Sequence, residues 1–579
     1  FFAGSRPRLN MQIDGRTSSY NELAFGTKSL WDMKQIEIYR GAQSYAQGRN
    51  AIAGAVVMTS NDPTQEWEGA AKLNMGNHRL AQTAALISGP VVKDELAFRL
   101  SVDHQQRETS VDLPHYDPVG NPRWFKATNT RAKLLWTPSA LPDLYSRLTF
   151  NHLNARAPQS ETELQPNSPR YTPERPVFQT RSASTIWDIG YQLSEHWKWE
   201  NKLVYTHFIH NRKTTSPFNT ALPPNRRGVP ARVDGNEFQI EPIVKYESEK
   251  YRGLFGLFYF NAKQDESVTM LNGRIARTPI TTNFNDKTKT KAAFGEITFT
   301  PDIPFELTLS ARYEQEHHQR KGKSAMFSIN RDKKYNVFLP KADIAWKIND
   351  DQRLGFKVGK GYNPGSAGVT FGVPYTSYEY DAEYVWNYEL YHRWTSADKR
   401  LRINSNLFYN DYKDMQLPFT LGPNSIVIRN ADKVVTYGAE INTEWQATEK
   451  LALNAGIGML KTDIKRYPNS GIEGNKLARA PSFSGKLGAN YRLLDHLEIG
   501  TNYSYNSSYY STADNLANGK VGHYDQLDVY LAYDFKHARI TLYADNVLNS
   551  RKDILLVPRS GDITRQPERQ IGLSTELRF

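Results

Sequence analysis

Residues 526–535 read QLDVYLAYDF. Leu527, Val529, Leu531, Tyr533 and Phe535 share one parity; Gln526, Asp528, Tyr530, Ala532 and Asp534 take the other. Successive side chains of an extended chain point to opposite faces, so this spacing predicts a strand with one apolar and one mostly polar face. The chain ends on the same rhythm: Ile571, Leu573, Thr575, Leu577 and Phe579 alternate with Gly572, Ser574, Glu576 and Arg578. It also appears early, where Leu96, Phe98, Leu100 and Val102 alternate with Ala97, Arg99 and Ser101.

From about Trp67 onward such stretches repeat, and their connections come in two kinds. SALPD at Ser139, PDIP at Pro301, NDD at Asn349, SADK at Ser396, ATEK at Ala447 and LLDH at Leu493 are tight turns. Residues 157–181, 213–235, 363–383 and 550–565 are long, polar and rich in Pro, Gly and Asn. A strict alternation of short and long predicts a membrane barrel with turns on one side and loops on the other. We count about 22 strands, which leaves about 23 residues for each strand with its connection, enough for crossings of 9–11 residues or longer. A closed barrel of that width needs something in its lumen. A soluble propeller would repeat a blade signature every 40 to 50 residues or so, and none is present.

Bulk composition fits this class. Only 39% of the 579 residues are hydrophobic and no run reaches the roughly 18 apolar residues of a membrane helix. Strands that show lipid every second side chain need no such run. The 33 Tyr, 26 Phe and 11 Trp suit interfacial girdles. Absence of cysteine removes disulfides, thiolate metal sites and cysteine nucleophiles. The net charge of +12 is spread over many short segments, so no nucleic-acid partner is expected. No GxSxG, HExxH, phosphate loop or dinucleotide fingerprint occurs in a supporting context, so no enzyme is expected. His317 and His318 are followed by Arg320 and Lys321, cations that oppose metal binding, and the acidic runs lack calcium-loop spacing. No metal and no cofactor are expected.

Residues 36–64 read IEIYRGAQSYAQGRNAIAGAVVMTSNDPT. Ile36, Ile38 and residues 55–58 predict short buried strands, and Gly41, Gly48 and Gly54 predict tight turns or close backbone approach. The run, with Gln43 and Ser44 between its glycines, resembles the plug signature of TonB-dependent outer-membrane receptors. MQIDGRTSSY at Met11 resembles the preceding plug strand and its DG turn. GYNPGSAGV at Gly361, VWNYELY at Val385, VTYGAEINTEW at Val435, LYADNVLNS at Leu542 and the terminal RQPERQIGLSTELRF resemble the family's barrel segments.

The resemblance implies an all-β membrane protein in the outer membrane of a Gram-negative bacterium. It assigns residues 1–65 to the C-terminal part of a plug and 66–579 to an antiparallel barrel of about 22 strands around it. The family also carries a signal peptide, a TonB box and the first half of the plug. FFAGSRPRLNMQIDG at the start shows none of these, so the expectation is a processed or truncated chain that does not couple to TonB by itself. The implied partners are the TonB–ExbB–ExbD complex, a metal chelate, outer-membrane lipid and lipopolysaccharide, and the barrel-assembly machinery that reads the terminal aromatic, with the receptor a monomer. The implied function is TonB-driven import of a scarce chelate, a ferric siderophore or related iron complex. Cobalamin, haem and oligosaccharide are alternatives in the same class. A passive porin or adhesin is the alternative from another class, and the plug signature argues against it.

Two sets of residues are implied to act. Arg40 would lock the plug to wall glutamates, for which Glu389 in NYEL and Glu440 in YGAE are the matches. Parity supports this for Glu440: Tyr437, Ala439, Ile441 and Trp445 take the lipid-type face, and a carboxylate there would be costly. The other reading is that both glutamates are merely hydrated. Arg16, Thr17, Ser18, Ser19 and Tyr20 resemble a plug apex facing the external vestibule, where Arg and Tyr suit an anionic or aromatic chelate. The other reading is an ordinary solvated turn.

Overall fold

The computed structural model describes residues 6–25, 28–47, 51–168, 171–271, 278–422 and 425–579; Gly48 of the plug signature lies outside them. Among these residues, twenty-two antiparallel strands close into a barrel, beginning with Glu68–Gly76 and ending with Gln570–Arg578. The seam is made by the two ends of the barrel sequence: Leu573 pairs with Met75 and Leu577 with Ala71, and Gly69 and Phe579 exchange backbone hydrogen bonds of 2.8 and 3.0 Å. Closure leaves the wall no free edge.

Alternation sorts the side chains as the sequence predicts. Leu100, Val102, Leu531, Tyr533, Leu573 and Leu577 are exposed on the outer surface, whereas Ala97, Arg99 and Ser101 are buried toward the lumen. Aromatic pairs mark the end with the tight turns: Trp197 with Tyr246 (4.8 Å between centroids), Tyr251 with Phe299 (5.0 Å) and Phe305 with Trp346 (6.3 Å). Tyr388, Tyr409 and Tyr437 form the opposite girdle, with centroids 6.4 and 6.2 Å apart. From Trp445 to Tyr437 on the strand Ser425–Gln446 is eight residues, roughly 20 Å of height at about 3.3 Å per residue and a tilt of about 40°, close to the apolar thickness of an outer membrane.

The alternation of connections is less strict than expected. Among the described residues, two connections on the loop side, 77–80 and 324–327, are as short as the turns. Tall hairpins replace long loops in part: the strands Leu401–Gly422 and Ser425–Gln446 are 22 residues each, far beyond what the membrane needs, so their upper halves stand outside it.

The leading residues fold inside the barrel. Strands β1 (Leu9–Ile13), β2 (Arg16–Thr17), β3 (Met33–Arg40) and β4 (Gly54–Ser60) make one sheet in the order β2-β1-β4-β3, with helices α1 (Tyr20–Phe25) and α2 (Ser44–Gln47) beside it. Asp14 and Gly15 form the tight turn between β1 and β2, both with positive φ. Gly54 is required by proximity, since a Cβ there would lie 2.6 Å from the Tyr39 carbonyl oxygen. Ala55 and Met58 are buried as predicted, but Ile36 and Ile38 are exposed. β3 is the edge of the sheet, and most of its side chains are exposed instead of packed in a core.

Candidate functional site

The plug sits in the barrel through a two-sided pattern of charge. On one side, plug carboxylates meet wall cations. Asp32 accepts two hydrogen bonds from Arg99, 2.7 Å to Nε and 2.5 Å to Nη2, with side-chain exposures of 2% and 4%. Asp62 lies 3.0 Å from Lys133 Nζ and 2.9 Å from Arg147 Nε. Asp14 accepts from the Ser60 amide and hydroxyl and lies 3.9 Å from Arg131, and its carbonyl accepts from Lys202 Nζ at 2.8 Å. Burial would raise the Asp14 and Asp62 carboxyls, but Lys133 with Arg131 in one case and with Arg147 in the other outweighs it and holds both below the usual range.

On the other side the signs reverse. Arg8 donates to both carboxylate oxygens of the buried Glu383, at 2.9 and 2.7 Å, and Arg6 lies 3.3 Å from the buried Glu316. Arg40 forms an ion pair with Glu440. Glu389 is not part of that pair. It lies directly across the wall from Lys357, its register partner, and is held by it at 3.1 Å, so Arg40 pairs with one of the two expected glutamates. Arg40 and Glu440 are also accessible, at 61% and 25%. Solvent screens such a pair, so Arg40→Ala is expected to change plug retention by no more than about 1 kcal/mol, with single-channel conductance staying at the wild-type level.

The remaining signature residues seat against the same stretch of wall. A Cβ on Gly41 would meet the Asn387 amide at 3.5 Å, the Ser44 hydroxyl lies 3.3 Å from both the amide and the carbonyl of Tyr362, and Gln43 Nε2 donates to the Arg40 carbonyl at 3.3 Å.

At the plug apex the residues separate. Thr17, Ser18, Ser19 and Tyr20 line a cavity of about 110 Å³ together with Asn21 and the wall residues His210, Glu237, Asp286 and His318. The Ser19 hydroxyl lies 3.2 Å from His210 Nε2. Asn21 Oδ1 and His318 Nδ1 are buried without a hydrogen-bond partner among the described residues, which leaves an acceptor and a ring nitrogen for water or a guest. Arg16 does something else. It is buried and clamped to Glu22 by hydrogen bonds of 2.6 and 2.5 Å, because a guanidinium turned into the protein needs a carboxylate partner. It braces the apex and is not a free group in the vestibule. Burial would raise the Glu22 carboxyl, but Arg16 outweighs it and brings it from 4.5 to about 2. A carboxyl lowered on folding contributes stability that is complete above its unfolded value. We therefore expect the apex to hold above about pH 4.5 and to loosen as pH falls toward about 2, a transition Glu22→Gln should remove from the acid-unfolding profile.

Loop 363–383 also turns inward. Its hairpin, Ser366–Val369 paired with Ser377–Tyr380, places Ala367 and Val369 in an apolar cluster with Phe178, Phe208, Met270 and Phe284. Phe25 of α1 stacks on Phe178 at 3.9 Å. Arg6 donates to the Gly365 carbonyl at 3.2 Å, so the plug holds this loop directly. The sequence reading missed His210, Asp286, His318 and Glu383. Their only signal is a polar residue at an inward parity, which any barrel wall shows. His317 and His318 point to opposite faces, onto Asp332 and Asp286, and cannot share an ion.

A plugged barrel of this strand number is matched by sequence as well. The family model described as TonB dependent receptor-like, beta-barrel, covers residues 125–549. The chain belongs to the TonB-dependent receptor family. This receptor of the outer membrane is 20% identical to the pesticin receptor of Yersinia pestis over 99% of its own length and 84% of the relative's. In structure it is similar to the ferric yersiniabactin uptake receptor FyuA of Yersinia pestis, with TM-score 0.84, 17% identity and coverage of 99% and 89%. It is also similar to the siderophore receptor PiuA of Acinetobacter baumannii, with TM-score 0.79, 14% identity and coverage of 100% and 90%.

Proposed function

We propose that this receptor imports a ferric siderophore or related iron chelate, with TonB supplying the energy. The observation that carries the reading is a polar cavity between plug and wall, in a barrel where loop 363–383 folds inward and is itself tied to the plug. A cavity of about 110 Å³ holds a few waters and is too small for a chelate, whose sites run to roughly 300–1,000 Å³. The guest therefore enters only when loop 363–383 swings out, and leaves inward only when the plug gives way. Two closures in series are what a transporter of a scarce solute needs, because a barrel of this width without them would leak. Relatives named as receptors for ferric yersiniabactin and ferrioxamine B favour an iron chelate. The plug–wall ion pairs serve as the lock, and no covalent step is called for.

Growth under iron limitation tests this. A strain dependent on this receptor should be rescued by at least one ferric siderophore, with ⁵⁵Fe uptake abolished by loss of TonB. Rescue by cobalamin, haem or an oligosaccharide alone would overturn the cargo, and uptake independent of TonB would overturn the mechanism.

A further inference from the structure

A second cavity, of about 50 Å³, lies between plug and wall, and the transport reading does not use it. Helix α1 contributes to both cavities: Tyr20 and Asn21 line the first, Glu22 the second. The charged lining of the second is Arg16, Lys28 and Arg131 against Glu22 and Asp103, a surplus of one positive charge. Both carboxylates are already engaged. Glu22 is clamped to Arg16, and Asp103 accepts from Ser29 at 2.5 Å, Gln105 at 2.7 Å and Gln82 at 2.9 Å. Arg131 donates to Asn151 at 2.9 Å, and Asp14, the carboxylate with which it pairs, is 3.9 Å away. Lys28 has no hydrogen bond or ion pair among the described residues. Burial lowers its ammonium from 10.5 to about 8, with Glu22 opposing and Arg16 adding to the fall.

Hydrogen bonding is equally one-sided. Two buried side-chain atoms of this lining lack a partner among the described residues, Arg16 Nε and Asn129 Nδ2, and both are donors. With Lys28 Nζ, three N–H donors line the cavity unmatched. A buried donor left unpaired is costly, so the cavity calls for an acceptor. Water offers lone pairs but brings two hydrogens that need acceptors in turn. An anion accepts on every side and cancels the surplus charge.

We propose that this cavity binds one small, singly charged anion, a carboxylate or a halide. A space of about 50 Å³ admits a group of that size and excludes a whole chelate. The anion comes from solution or from a carboxylate arm of the cargo. The second source rests on the chelate-import reading; the binding itself does not.

Hydrogen exchange at the amides of residues 16–25 tests the binding without cargo or TonB. In the parent, about 100 mM formate should slow exchange about threefold relative to gluconate at the same ionic strength. Gluconate carries the same charge on a body too large to enter. Lys28→Met should show no difference between the two salts, and where that variant does not fold, Asn129→Ala makes the same comparison. Equal exchange in formate and gluconate for the parent, or formate protection that survives in both variants, would overturn the proposal. Uptake of ⁵⁵Fe then separates the sources. If the cargo supplies the anion, a carboxylate-bearing ferric chelate should lose at least about fivefold in Lys28→Met, while its amidated form keeps the parent rate. Equal rates throughout assign the site to a free ion.

Discussion

Asp32→Asn is expected to loosen the plug more than any other single polar change in the lumen. The residue sits at φ 59°, a left-handed conformation that Asn tolerates, so the variant removes charge without forcing the backbone. Arg99 is left buried with its bidentate partner neutralised and only the half-exposed Glu68 beside it, and breaking a buried pair from one side costs about 3 kcal/mol. That is roughly two orders of magnitude in the population of receptors with a displaced plug. The readouts are single-channel conductance in planar bilayers and sensitivity of cells to a large antibiotic, both of which should rise. A second change, Arg99→Gln, should recover most of the loss, because an amide pair no longer strands a charge. Wild-type conductance in Asp32→Asn would show that the pair does not hold the plug. A larger effect from Arg40→Ala than from Asp32→Asn would reverse the ranking of buried over exposed pairs.

Glu383→Gln addresses the lid. Glu383 is fully buried at the foot of loop 363–383 and accepts from Arg8 twice and from the Gln416 amide at 2.8 Å. Gln416 in turn donates to the Pro364 and Asp381 carbonyls at 3.0 and 3.1 Å, so one carboxylate ties plug, lid and wall together. Neutralising it leaves the Arg8 guanidinium short of its counter-charge, at a cost of about 2–4 kcal/mol. The expected result is a lid that opens more often. Limited proteolysis within 370–376 should accelerate at least tenfold, while the melting temperature of the barrel changes little, since the change falls at the first residue of one strand, Glu383–Thr395, outside the membrane-spanning rungs. Unchanged proteolysis would mean that the lid is held by its apolar contacts alone.

How much of this was legible in the sequence follows from which forces act locally. The parity of Leu527 to Phe535 and of Ile571 to Phe579 is set by the lipid, a uniform solvent that imposes the same rule on every strand, so strand number and facing could be read directly. The Asp14-Gly15 turn and the close approach at Gly54 are equally local. What was not legible depends on which residues the fold brings opposite each other. Glu389 and Glu440 have the same sequence character, but only one faces Arg40, because the other has Lys357 across the strand. Arg16 resembles an exposed binding residue until Glu22 closes on it, and Ile38 resembles a core residue until β3 proves to be an edge. The inward fold of loop 363–383, polar and rich in glycine and proline, carries no local mark of its apolar seat. Asp32, Asp62, Arg99 and Arg147 look like any other charges until plug and wall are superposed, when the acid side meets the basic side.

That complementarity is the central claim, and a covalent tether tests it most directly. The chain has no cysteine, so an introduced pair is the only thiol chemistry present. A Cβ built on Gly361 lies 3.0 Å from the Ala42 Cβ, near the 3.5–4.5 Å of a disulfide, so Ala42→Cys with Gly361→Cys joins plug to wall with a small adjustment. In intact cells the pair should oxidise almost completely, block uptake of the cargo, and restore it on reduction. Failure of the two cysteines to join, in a receptor that is correctly inserted and active, would place the plug somewhere other than the seat described and contradict the account.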